Sequence, residues 1–262
     1  MTRLDFRLPE FTRFAWVSDQ ARAIWAPRIA RIQTAWAEIE WRSVAARVRP
    51  CAHTIVDPGA LPALTARMAE HGLEVRRFGE VGVSSTPYSS AAAPVIPGQP
   101  FAIRVAIGTP DANAAFCAAW EANDQAKIGE ALGYPACCQR FFQRVWVEER
   151  CMDTTWAMTT SAATATQKEE FSKHVSGPQE ANILLRWLGV RAVPHLPCRF
   201  DCADTVAFAR KLITVGREAG FSIEMDWLLS MLSWPVEWSA LHGIAEVRTP
   251  IASPTAIMRR AS

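Results

Sequence analysis

Four of the seven cysteines fall in two short, proline-marked segments, Gly133-Tyr134-Pro135-Ala136-Cys137-Cys138 and His195-Leu196-Pro197-Cys198-Arg199-Phe200-Asp201-Cys202. Each segment carries the signs of a helix start. Gly133 is placed to end one helix and Pro135 suits the first turn of the next. Asp201 is the expected cap of a helix running from Cys202 to Gly216, which puts Cys202 at its first position. Amides and the dipole at such ends favour thiolate. Four convergent thiolates are a complete ligand set for iron-sulfur or for zinc. Adjacent cysteines look crowded on one small zinc tetrahedron, whereas the separate irons of a cube give neighbouring thiolates different atoms to reach. The expected cofactor is therefore a [4Fe-4S] cluster held by Cys137, Cys138, Cys198 and Cys202, with zinc as the alternative. Thiol-disulfide or nucleophilic chemistry at one of these cysteines is a third reading, and plain burial as small apolar residues a fourth. Cys117 reads as core, while Cys51 and Cys151 have no comparable setting.

Three further residues join the candidate site. His195 stands three positions before Cys198 and suits a ligand, a proton carrier or a donor to a cysteine sulfur. Arg140 and Arg199 flank the cysteines and suit the anionic part of a small polar substrate. Tyr134, Glu130 and Asp201 lie in the same segments, with capping or solvation as their ordinary uses. The GYPxCC stretch at 133–138 and the HxPCxxxC stretch at 195–202 resemble an uncharacterised microbial family. That resemblance implies that the four cysteines and His195 belong to one site, and it brings no activity with it. The expectation is an iron-sulfur protein, with an enzyme acting on a small polar or anionic substrate as the preferred form. In that form His195 moves a proton while Arg140 or Arg199 orients the substrate. A zinc-stabilised scaffold or binding module and a thiol-based enzyme are the alternatives.

The rest of the chain must position these groups. In 262 residues of which 50% are hydrophobic there is material for a large core, in one large domain or two small ones. A formal charge of +2 leaves no basic stripe, so the arginines read as dispersed and nucleic acid is not an expected partner. No apolar run reaches the ~18 residues of a membrane span. The charged amino terminus does not read as a signal peptide, and the expected compartment is the reducing cytoplasm. Motifs for dinucleotide, nucleotide-triphosphate, zincin and α/β-hydrolase sites do not occur. The acidic pairs Glu148-Glu149 and Glu169-Glu170 read as solvated.

Apolar residues recurring from Val17 to Val44 predict a long helix with an interruption at Pro27. Ala52–Val56 and Leu73–Phe78 read as strands separated by a helix opening at Asp57-Pro58-Gly59. A Gly/Ser/Pro/Ala-rich loop over 79–100 and a strand over 101–107 follow. The expected fold class is α/β, with a small N-terminal α/β portion over 1–110 and a mainly helical half over 111–262. In that half helices are expected at 112–132, 178–188 and 202–216, with one terminal strand at 244–251. The Ser/Thr/Ala segment 154–166 reads as a loop. Met225–Leu232, with Trp234 and Trp238, reads as helical core, a pocket wall or homodimer interface being its other use; His242 is a lesser candidate for substrate contact.

Overall fold

The computed structural model describes residues 15–83, 93–150, 158, 166–169, 172–175, 177–234, 236–241, 244–248 and 250–253. The expectations for 154–157, 159–165 and His242, and any role for Cys151, lie outside these residues. The described chain is mixed α/β and gathers into two compact units, one over 40–133 and the other over 15–39 with the residues from 134 onward. Helix α1 (Asp19–Ala45) belongs to both, and Pro27 lies inside it without ending it.

In the first unit, β2 (Cys51–Val56), β3 (Glu74–Gly82) and β4 (Phe101–Gly108) form a sheet of order β2-β4-β3, each neighbouring pair antiparallel. The first strand, β1 (Ala15–Trp16), pairs elsewhere, with Ala252–Ser253. Because β2 and β3 both oppose β4, they run the same way. The helix α2 (Leu61–Glu70) makes the crossover between them. Alternation does the rest. Ala52, Ile103, Val105 and Ile107 pack with Trp41, Val44, Met68 and Leu73 into one core. His53 and Phe78 instead meet Phe116 and Trp120 of α3 (Pro110–Glu121), with His53 stacked on Phe116 at 5.8 Å. The expected strand 73–78 extends to Gly82, and a bulge between Arg77 and Gly79 adjusts its register.

The single helix expected over 112–132 is two. Thr109 caps α3 through the Ala112 amide, and Asp124 caps α4 (Gln125–Ala131) through the Lys127 amide, so a second cap restarts the helix. Gly133 then reverses the chain at φ +70°, where a Cβ would lie 2.8 Å from Arg49 Cβ. Both strain and contact oppose a side chain there. Gly133→Ala is expected to cost on the order of 1–3 kcal/mol, read by urea unfolding, and a loss below about 0.5 kcal/mol would contradict that account.

In the second unit, α5 (Ala136–Phe142) is followed by a π-helical turn over Gln143–Glu148. The helix α6 (Ala203–Glu218) turns Thr205, Phe208, Ala209, Leu212 and Gly216 inward. Gly216 lets α1 and α7 (Ser222–Leu232) close on α6, since a Cβ there would meet Ile39 Cδ1 at 2.6 Å and Met225 Sδ at 3.0 Å. Glu224 of α7, buried, takes Arg31 of α1 as its ion-pair partner. Met225, Leu228, Met231 and Leu232 are buried, as a helical core requires. No described helix is long and apolar enough to cross a membrane.

Two expectations for this half are corrected. Residues 178–188 form only two 3₁₀ turns, Gln179–Ala181 and Arg186–Leu188. Asn182 breaks the run: its side chain accepts from the Leu184 amide and donates to the Leu232 carbonyl, taking the place of helix bonds. The half also holds a four-stranded antiparallel sheet where one terminal strand is expected. Its order is β5 (Thr166–Glu169), β6 (Ser172–Val175), β7 (Val236–Leu241), β8 (Ile244–Arg248).

Candidate metal centre

The two cysteine segments converge. Pro135, extended at ψ 133°, is the N-cap of α5, so Cys137 and Cys138 fall in its first turn. The loop through Pro197 delivers Cys198, and the chain enters α6 at Cys202. Here the expected cap is corrected: Cys202 itself is the N-cap, with extended backbone, and the Asp201 carboxylate lies 3.1 Å from Arg199 Nε. The shift of one residue sets Cys202 three positions before Thr205, whose amide and hydroxyl help to hold its thiol low.

The Cys137 and Cys202 sulfurs lie 3.6 Å apart, Cys137 and Cys138 3.8 Å, and Cys138 and Cys202 3.8 Å. With Cys198, the four sulfurs fall within 4.8 Å of one another, an arrangement able to hold a metal ion. Cys138 and Cys202 are buried, Cys137 and Cys198 half-buried. The Cys198 amide donates to the Cys138 sulfur at 3.4 Å, and the Thr205 hydroxyl stands 3.3 Å from the same sulfur. Without an ion the thiols share their protons unequally. Hydrogen bonds from Cys138 and Cys198, then Thr205, hold Cys202 low and make it the thiolate. Hydrogen bonding with Cys198 and Cys202, and burial, push Cys138 up. Burial, with Cys202 and Asp204 beside it, pushes Cys137 up to about 12. The Cys138 hydrogen bond lowers Cys198, but Cys202 and burial outweigh it and the net direction is up.

His195 is buried behind this group rather than within it. Its Nε2 lies 3.0 Å from the Thr205 hydroxyl, and its ring sits against Tyr134 at 5.2 Å and Phe208 at 5.7 Å. The Thr205 hydroxyl thus stands between the histidine and the Cys138 sulfur. When Cys138 is a thiolate it can only accept, so Thr205 donates to sulfur and His195 Nε2–H donates to Thr205. Thr205→Val is expected to weaken metal binding about 10–100-fold in competition with a chromophoric chelator, while Thr205→Ser restores it. Unchanged affinity in the valine variant would remove this relay.

Arg140 and Arg199 do come to the site, on the rim of an open depression of about 530 Å³ floored by Cys137, Cys198 and Cys202. Arg144 and Asp204 line it too, and neither is among the residues expected from the sequence. Arg140 follows Cys137 by three residues and Arg144 follows Arg140 by four, a spacing that could have found Arg144. Asp204 and Thr205 fill the first turn after Cys202, where an N-cap assignment to that cysteine would have placed them. Glu130, Glu148 and Glu149 are exposed, as solvated residues are. Cys51 and Cys117 are buried in the other unit; burial pushes the Cys51 thiol up to about 11. Comparison with protein-family models, curated proteins and solved structures finds no match to this chain.

Proposed function

We propose that this chain is a metal-dependent binding module in which Cys137, Cys138, Cys198 and Cys202 hold one tetrahedral divalent ion, zinc. The observation that carries this reading is the sulfur spacing. A regular tetrahedron with metal–sulfur bonds of about 2.3 Å puts its sulfurs about 3.8 Å apart, against 3.6, 3.8 and 3.8 Å among Cys137, Cys138 and Cys202, with the Cys198 sulfur inside the same 4.8 Å group. In a [4Fe-4S] cube each thiolate ends on a different iron, which spreads the sulfurs wider than the irons themselves. Adjacency of Cys137 and Cys138 is no obstacle to a single ion, because one helical turn already sets their sulfurs at a tetrahedral edge. Four thiolates leave zinc no open position, so the ion's chemistry is to clip the α5 turn to the start of α6, rather than to activate water.

The competing reading is the iron-sulfur enzyme, and the half-exposed Cys137 and Cys198 on the floor of an arginine-rimmed depression are what favour it. Elemental analysis and visible absorption of protein purified without oxygen separate the two. One zinc per chain without acid-labile sulfide is the expected result. Iron with labile sulfide and a broad visible band would overturn the zinc reading in favour of the cluster. Absence of any metal, with a Cys137–Cys202 disulfide that turns over, would favour thiol chemistry.

A further inference from the structure

We infer that the depression beside the thiolates is a binding site for a small oxyanion, a phosphate ester or a carboxylate, gripped by Arg140 and Arg199 with Arg144 beside them. The inference rests on the metal reading above, because the ion joins the two segments that bring these arginines together. Arg140 and Arg144 stand on the same side of the α5 run as Cys137, and Arg199 follows Cys198 directly.

The arginines keep guanidinium surface open to solvent. Arg140 has no acidic partner among the described residues. Arg144 faces Glu149 only at 3.9 Å, with both side chains more than half exposed. Arg199 lies 3.1 Å from Asp201, yet its own side chain remains 52% exposed. Nor do the sulfurs use them. The hydrogen bonds to sulfur come from the Cys198 amide and the Thr205 hydroxyl, and the Thr205 amide also holds Cys202 low. Guanidinium groups left over at a rim suit planar or tetrahedral oxyanions, which they bind in bidentate fashion.

Size and field narrow the class. About 530 Å³ falls within the range of ~300–1,000 Å³ typical of small-ligand sites. Asp204, exposed and 3.3 Å from the Cys137 sulfur, puts one carboxylate in the lining against three arginines. An anionic head is expected against the guanidinium groups, one of which, Arg144, lies 5.9 Å over the Phe141 ring. With the arginines dispersed elsewhere, a compact anion fits better than a long polyanion.

The test is calorimetric titration of the zinc-loaded chain with inorganic pyrophosphate and, separately, with citrate. Saturable one-site binding with a Kd below about 1 mM is expected for at least one of them, and the stronger arm names the chemistry. The double variant R140Q/R199Q is expected to keep its zinc and lose at least ~10-fold in anion affinity. Chelation of the zinc is expected to weaken binding in the wild type. A zinc-loaded chain with no saturable binding below about 10 mM, or a double variant that binds like wild type, would overturn the anion site and leave the metal reading standing. Zinc content measured on the same samples tests that reading by itself. A single-stranded oligonucleotide that binds tightly and is not displaced by pyrophosphate would overturn the small-ligand form in favour of a nucleic-acid face.

Discussion

Serine in place of Cys138 is expected to weaken metal binding about 100–1,000-fold and to lower the thermal stability of the purified chain. The magnitude follows from the size of the term being divided. A structural zinc with thiolate ligands contributes roughly 10–16 kcal/mol, so losing one of four ligands forfeits about 3–4 kcal/mol. Cys138 is the most connected of the four: it faces Cys137 and Cys202 at 3.8 Å, takes the Cys198 amide at 3.4 Å and the Thr205 hydroxyl at 3.3 Å. A hydroxyl on a shorter bond satisfies none of these distances together. Cys117→Ser is the control, because Cys117 is buried in the other unit and is expected to leave metal content at one per chain. Equal metal affinity in Cys138→Ser and wild type would remove Cys138 from the ligand set, and loss of metal in Cys117→Ser would show that unfolding alone explains the result.

The cysteine site was legible because its punctuation is local. Gly133, Pro135 and Pro197 mark chain reversals and helix starts within a few residues of the sulfurs, and the structure puts Cys137 and Cys138 in the first turn of a helix and Cys202 at the N-cap of another. The strands β2 and β4 were legible for a similar reason, since Ala52–Val56 and Phe101–Ile107 each carry their apolar residues locally. What escaped was set by distant partners. The strands Thr166–Glu169 and Ser172–Val175 are short and polar, and they exist because β7 offers its edge some 60 residues later. Residues 183–188 have the apolar spacing of a helix, and the bonds of Asn182 to Leu184 and Leu232 stand where helix bonds would. Adjacency in the sequence suggests that Cys137 and Cys138 crowd one another, and only the folded chain shows their sulfurs 3.8 Å apart in a group with Cys198 and Cys202. Asp201 lost the cap by one residue to Cys202, a difference no propensity for capping would reveal.

The second large effect is in pH. Metal binding is expected to release about three protons, so the apparent affinity falls about 1,000-fold for each unit of pH lowered around neutrality, or about 4 kcal/mol per unit. Three rather than four follows from the unequal thiols. Cys202, held low by Cys138, Cys198 and Thr205, has already lost its proton in the metal-free chain. Cys137, pushed up to about 12, and Cys138 and Cys198, both pushed up, still carry theirs. A bound divalent ion takes all four as thiolates, and the equilibrium therefore favours the ion as pH rises. Because the three raised thiols lie above the ordinary cysteine range, the slope persists past pH 8 instead of flattening there. Asp204 sharpens the case. Its carboxylate accepts from the Cys137 thiol at 3.3 Å and helps keep that proton in place. Asp204→Asn is therefore expected to move the whole binding curve toward lower pH without changing the number of ligands. Competition titrations with a chromophoric chelator at several pH values measure both effects. A slope near one would mean that the metal-free site already holds three thiolates, and an unshifted curve for Asp204→Asn would mean that the carboxylate does not hold the Cys137 proton.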